Sequence, residues 1–197
     1  MRIFRLSAVF AAALFVLGCL PPTTTHPVGS TVGLANDPAL VGLWRGKMEN
    51  DDNGRPVYFH FLPSLDGAIS VVMVQGGNEP DGDWTIATIT TSNLGGNHFM
   101  NATITFADGK TDDTFKPGET VPILYRLDGQ GHLLLTMMDE DETKAEIQSG
   151  KITGTVEQGQ FGDAKIMEDP KKLDAFMASK KGLALFRARF ATLTKIE

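Results

Sequence analysis

Leu94-Gly95-Gly96-Asn97-His98-Phe99-Met100-Asn101-Ala102-Thr103-Ile104-Thr105-Phe106 carries a turn followed by a long two-residue alternation, the pattern of a β-strand. Successive side chains of a strand point to opposite faces. On that rule His98, Met100, Ala102, Ile104 and Phe106 share one face, and Asn97, Phe99, Asn101, Thr103 and Thr105 share the other. The glycine pair ahead of Asn97 is a turn signal. The stretch therefore predicts a strand over 97–106, entered through a tight turn, with one face largely apolar.

The same pattern repeats outward in both directions. Further strands are predicted near 40–48, 56–62, 67–75, 83–91, 121–127, 131–138, 151–156, 163–168 and 187–195. Turn-forming clusters separate them, among them Asp51-Asp52-Asn53-Gly54, Asp66-Gly67, Gly76 to Gly82 and Asp128-Gly129-Gln130-Gly131. Short strands at regular spacing predict a mainly β protein, an antiparallel up-and-down barrel of 8–10 strands, although an open sandwich leaves the same signature. The strand at 67–75 is apolar on both sides, with Ile69, Val71 and Met73 against Val72 and Val74, so it calls for cover outside the sheet.

Two helices are available to supply that cover. Asp169 suits an N-cap and Pro170 the first helical position, with Leu173, Phe176 and Met177 as the apolar stripe. Lys180, Lys181 and Gly182 then suit the helix end, so one helix is expected over about 170–181 before the last strand. A second, shorter helix near 140–149 has an acidic first turn and Gly150 as its stop. The polar stretch from Asp108 to Thr120 reads as a lid or an exposed loop.

The N-terminus carries an address. Met1 to Arg5 is short and basic, and Leu6 to Leu17 is an apolar run too short for a bilayer core, which needs about 20 residues. Val16-Leu17-Gly18-Cys19 resembles the lipobox of bacterial lipoproteins. That resemblance implies a signal peptide over 1–18 cleaved after Gly18, and lipid on Cys19. Cys19 is the only cysteine. Leu20 follows it in place of aspartate, which in Gram-negative lineages implies sorting to the outer membrane, facing the periplasm. Residues 19–38, rich in proline, threonine and glycine, read as the lipidated cysteine and a flexible tether. Residues 39–197 are then a single domain, long enough for a core without disulfides.

Charge and motifs exclude several function classes. The whole chain carries a net charge of −6, and Arg2 and Arg5 lie in the leader, so the remainder is more acidic still. Nucleic acid is not an expected partner, since its binding rests on cationic contacts. The four histidines, His26, His60, His98 and His132, lie on separate segments without metal-ligand spacing. Glu49-x-Asp51-x-Asn53-Gly54 has the oxygen ligands of a calcium loop, but His60 occupies the twelfth place, so a hairpin turn is the reading. No serine elbow or phosphate loop is present. The expectation is a protein without enzymatic activity or cofactor.

Gly42-Leu43-Trp44 opens the first strand and resembles the Gly-x-Trp signature of the lipocalin or calycin superfamily. The order of strands, helix and final strand is similar to that family's. A Thr-Asp-Tyr segment is missing, and Thr111-Asp112-Asp113 is a partial echo of it. The resemblance implies that Trp44 closes one end of an eight-stranded barrel against a basic residue, for which Arg187 and Arg189 are the candidates. It also implies a ligand site. Met73, Trp84, Met100 and Phe106 are the candidate lining, and His98 and Tyr125 the candidate polar groups that orient a ligand. The expected function is binding of a small apolar or amphipathic ligand. The alternative is a filled barrel that contacts another envelope protein through loops 76–82 and 108–120.

Overall fold

The computed structural model describes residues 21–49, 51, 53–64, 68–76, 83–107, 110–111, 116–157 and 164–197. Signal and lipidation residues Gly18 and Cys19 lie outside them, as do most of loop 76–82 and residues 108–109 and 112–115.

The described chain begins with a two-residue strand, β1 (Thr23–Thr24), and then enters a meander: β2 (Gly42–Met48), β3 (Pro56–Pro63), β4 (Ile69–Gln75), β5 (Asp83–Leu94) and β6 (Asn97–Ala107). After the short β7 (Lys110–Thr111) come β8 (Val121–Leu127) and β9 (His132–Met138). An excursion follows: α1 (Glu140–Gln148), β10 (Gly154–Val156), β11 (Ala164–Ile166), α2 (Pro170–Met177) and α3 (Lys180–Ala184). It ends in β12 (Phe186–Lys195). Strands β2, β3, β4, β5, β6, β8, β9 and β12 pair antiparallel in that circular order, and β12 closes on β2, so the sheet is a closed barrel of eight strands. The barrel reading holds, and the sandwich does not. Strands β10 and β11 stand outside it, in a small sheet with β1.

The inward faces form one core, including Trp44, Val57, Phe61, Ile69, Met100, Leu133, Leu135 and Leu193. A second core lies outside the wall. There Leu94, Phe99, Leu124, Met138 and Phe186 meet Val28, Ile152, Ile166, Leu173, Met177 and Leu185. Each such side chain, fully buried, contributes about 1.5–3 kcal/mol.

Helix α1 starts where the Asp139 carboxylate accepts the Glu142 N–H, and Gly150 follows with φ +70. Asp169 caps α2 by accepting from the N–H groups of Lys171 and Lys172, with Pro170 in the first turn. The helix expected over 170–181 is broken at Ala178. The Ser179 hydroxyl accepts the Gly182 N–H and starts α3, so Lys180 and Lys181 open a helix instead of ending one.

Two further expectations are corrected. The helices do not cover β4. They pack over Phe99, Leu124 and Phe186, while Val72 is half-buried and Val74 is 40% exposed. The excursion leaves from β9 and returns at β12, which places its helices over the wall on that side of the barrel.

The stretch read as a tether over 19–38 is bound to the barrel body between Pro22 and Ser30, with Pro22, Thr24, Val28 and Gly29 buried, while 31–35 are exposed. Thr24 pairs with Thr120 through two backbone hydrogen bonds of 2.9 and 3.0 Å, and Thr25 donates to the Ile166 carbonyl at 3.0 Å. The Val28 amide donates to Asn101 Oδ1 at 2.7 Å, and its carbonyl accepts from Asn101 Nδ2 and from Ser92 Oγ. Gly29 turns there with φ +84, against the Ser92 side chain. Prolines and threonines without apolar periodicity looked unstructured because their backbone groups bond to distant side chains, which leaves no local pattern.

Candidate functional site

One end of the barrel is sealed. Trp44 points inward from β2, and its indole N–H donates to the Leu40 carbonyl at 2.6 Å. Leu40 itself is 0% exposed and plugs the barrel floor. Residues 35–41 form a strap across this end, held by reciprocal backbone bonds of 2.8 Å between Ala35 and Thr91. The Tyr125 hydroxyl, inside β8, donates to Asp37 Oδ2 at 2.8 Å. Burial, and then the bond to the Asp37 carboxylate and its charge, push the Tyr125 phenol well above its ordinary value.

The cation beside Trp44 is Lys195, whose Nζ lies 5.4 Å from the ring centroid. Arg187 instead pairs with Asp139 at 3.4 Å and with Glu142, and Arg189 lies 4.0 Å from Glu49. Register explains the difference. Lys195 stands opposite Trp44 on the β12–β2 ladder, whereas Arg187 and Arg189 belong to the start of β12, at the other end of the barrel.

The interior loosens toward that other end. Met48, Met137 and Phe190 pack against the inner core and are only half-buried. Ala87 and Ile104, which face inward in register with each other, are half-buried too. Met73 keeps 9% of its surface exposed, while Ile69, at the other end of the same strand, keeps none. At this mouth Gln75 Nε2 donates to Asp51 Oδ2 at 3.2 Å, and the Arg55 backbone N–H donates to the same oxygen at 2.7 Å. Burial raises the Asp51 pKa, but the backbone N–H groups of Arg55 and Asn53 and the Arg55 charge outweigh it, so the carboxyl titrates below its usual range. A neutral amide and a held carboxylate thus border an apolar lining, a combination suited to one amphipathic molecule. Asp51, whose carbonyl accepts the Gly54 amide at 2.9 Å, belongs to the turn between β2 and β3 that the sequence reads as a hairpin turn.

The candidate residues separate into three places. Met73 and Met100 are inside, Met73 beside the mouth and Met100 in the packed half. Tyr125 is inside at the sealed end, and His98 is exposed at the rim there, its ring 5.4 Å from that of Tyr125. Tyr125 is already bonded to Asp37, so neither residue reaches the mouth.

Trp84 and Phe106 are outside the barrel, stacked on each other with centroids 4.5 Å apart. Simple alternation along β6 predicts that Phe106 faces inward. A bulge shifts the register between Ile86 and Ala87, so that Ile86 faces Phe106 while Ala87 faces Ile104, and the extra residue, Thr105, turns Phe106 outward. Trp84 is one residue before the inward Thr85 and shares the outer face with Val74.

Sequence reading missed Asp37, Lys195, Gln75 and Asp51 as members of the two ends. Gln75 had a signal, since it continues the inward phase of Val71 and Met73. Lys195 had none without the register of β12 on β2.

Among the described residues no three His, Cys, Asp or Glu side chains gather as metal ligands. No family model matches this chain, nor does any curated protein or solved structure. The likeness to lipocalins accordingly stays one of three residues and of element order.

Proposed function

We propose that this chain is a bacterial lipoprotein, anchored through acyl groups on Cys19 to the outer membrane and facing the periplasm, whose barrel binds a small apolar or amphipathic ligand without catalysis. The observation that carries the binding half of this reading is the contrast between the two ends. Leu40 and Trp44 close one, whereas Met48, Met73, Ile104, Met137 and Phe190 line a half-buried mouth at the other. Thioether and phenyl side chains adapt to irregular apolar shapes, and the Gln75–Asp51 pair offers a polar contact at the rim. The half around Trp44 is filled by the protein's own side chains, so a ligand would have to seat at the half-buried mouth.

The test uses the full-length chain with Cys19→Ser, purified without detergent after exposure to a lipid extract and analysed by native mass spectrometry. A retained adduct that disappears in Ile104→Trp, which fills the mouth, supports the reading. A clean protein mass under the same conditions removes it. The filled-barrel alternative, an envelope protein that binds another protein, has one observation in its favour: the solid inner core around Trp44 and Phe61. Cross-linking in cells to one abundant protein partner, with no adduct retained, favours that alternative.

A further inference from the structure

The outer wall near the mouth carries an apolar surface that nothing in the described chain covers. On β4 and β5, Val74 pairs with Trp84 and Val72 with Ile86, and Ile86 pairs in turn with Phe106 on β6. On β3, Tyr58 pairs with Val74, and the Arg45 guanidinium lies 5.8 Å from the Tyr58 ring centroid. Val74 is 40% exposed, and the others in this grid except Arg45 are half-buried. Arg45 and Lys47, both exposed, border it on β2. Tryptophan, tyrosine and arginine beside aliphatic side chains form a set suited to a bilayer interface, where rings sit at headgroup level and cations meet phosphate.

The start of the packed chain lies at the same end of the barrel. Thr24 is tied to Thr120, the residue before β8, and Thr23 is in register with Lys165, whose ammonium donates to Glu119 at 2.8 Å. Val121, the next residue, pairs with Ala102, and Phe106 lies four residues further along the same strand, about 13 Å at the rise of a β-strand. Cys19 precedes Thr23 by four residues, which span at most about 14 Å when fully extended. A lipid on Cys19 would hold this end of the barrel within about 14 Å of the membrane.

We propose that the wall formed by Val74, Trp84, Ile86 and Phe106 docks on the lipid bilayer surface, turning the barrel mouth toward the membrane. The inference rests on the Cys19 anchor proposed above, and it names the bilayer as the source from which the mouth is filled. Arg45 and Lys47 on β2 and Lys110, paired with Ala107 beside Phe106, are exposed cations at its border, while burial of apolar surface holds the wall down.

The experiment reconstitutes the full-length protein, processed in a bacterial host, into vesicles of phosphatidylethanolamine and phosphatidylglycerol. A share of the phospholipid carries bromine on the acyl carbons nearest the headgroup. The intact mass is measured first, to establish whether Cys19 carries acyl groups. Trp84 is half-buried on the outer wall and Trp44 is enclosed in the barrel, so bromine should quench the tryptophan emission of the wild type and leave that of Trp84→Phe unchanged. Emission that is not quenched in a lipidated, vesicle-bound protein overturns the docking and leaves the anchor standing. An unmodified Cys19 in a protein that stays off vesicles overturns both. Shielding of Trp84 by a cross-linked protein partner, without quenching by bromine, overturns the bilayer as the occupant. Quenching that is equal in wild type and Trp84→Phe overturns it as well.

Discussion

The ammonium group of Lys195 stands over the Trp44 indole, 5.4 Å from its centroid, and the same nitrogen reaches the Ala39 carbonyl at 3.5 Å. These contacts join the last barrel strand to the first and to the strap that plugs the floor. Replacing the ammonium while keeping most of the stem, with Lys195→Met, should lower stability by about 0.5–1 kcal/mol, the range for an exposed cation over an aromatic face. Arg187→Met, which acts at the opposite end, should leave the Trp44 emission maximum unshifted. Urea titration followed by tryptophan fluorescence measures both.

Tyr125 ties the strap to the barrel through Asp37. Tyr125→Phe leaves the Asp37 carboxylate without that donor and should cost about 1 kcal/mol at neutral pH. Burial first, and then Asp37, raise the phenol's pKa in the folded protein. The folded state thus keeps a proton that the unfolded chain releases near its ordinary value of about 10, and stability falls as pH rises past that point. The Tyr125→Phe protein lacks this dependence, so the stability gap between the two should narrow in alkaline solution. Denaturation midpoints that run parallel at every pH would contradict the assignment.

The Asp174 carboxylate on α2 holds the N-terminal segment down. Its Oδ1 accepts from the Gly29 amide at 2.6 Å, and its Oδ2 accepts from the Thr31 amide at 3.0 Å and from the Thr31 hydroxyl. Bonds to a charged acceptor contribute about 1.5–3 kcal/mol each, so Asp174→Ala should free residues 28–33 before the barrel unfolds. Hydrogen exchange at the Gly29 and Thr31 amides should rise well above that of the β8 and β9 ladders. Unchanged exchange would mean that the segment is held by other contacts.

Gly46 lies against β12, and a methyl group there would overlap the Thr192 carbonyl oxygen. Gly46→Ala should therefore strain the seam that closes the barrel, lowering stability by about 1–3 kcal/mol. Gly129→Ala is the control, because nothing stands within 4 Å of the added methyl. Thermal unfolding of both variants, read by circular dichroism, distinguishes a local overlap from a general loss of glycine.

Stretches governed by neighbours in the chain were legible. Strand positions followed from alternation and from the glycine turns between them, α1 from its acidic first turn and Gly150, and α2 from Asp169 and Pro170. The candidate site was less legible. Of the residues expected to line it, Met73 borders the mouth, while Trp84 and Phe106 face outward. One extra residue in a strand reverses the face of everything after it, and alternation alone does not show where a bulge falls.

Turn chemistry, capping and strand phase are set by groups a few positions apart, so the places where the chain reverses and the residues that alternate could be read locally. The sequence also placed the apolar run and Cys19 just ahead of the packed body. Closure of the ladder, the meeting of Lys195 and not an arginine with Trp44, and the binding of the proline- and threonine-rich segment by Asn101 and Asp174 arise in the folded barrel alone. Those outcomes depend on register and on pairs of residues dozens of positions apart. No local pattern encodes such pairs, because each forms only when the whole wall has curled back on itself.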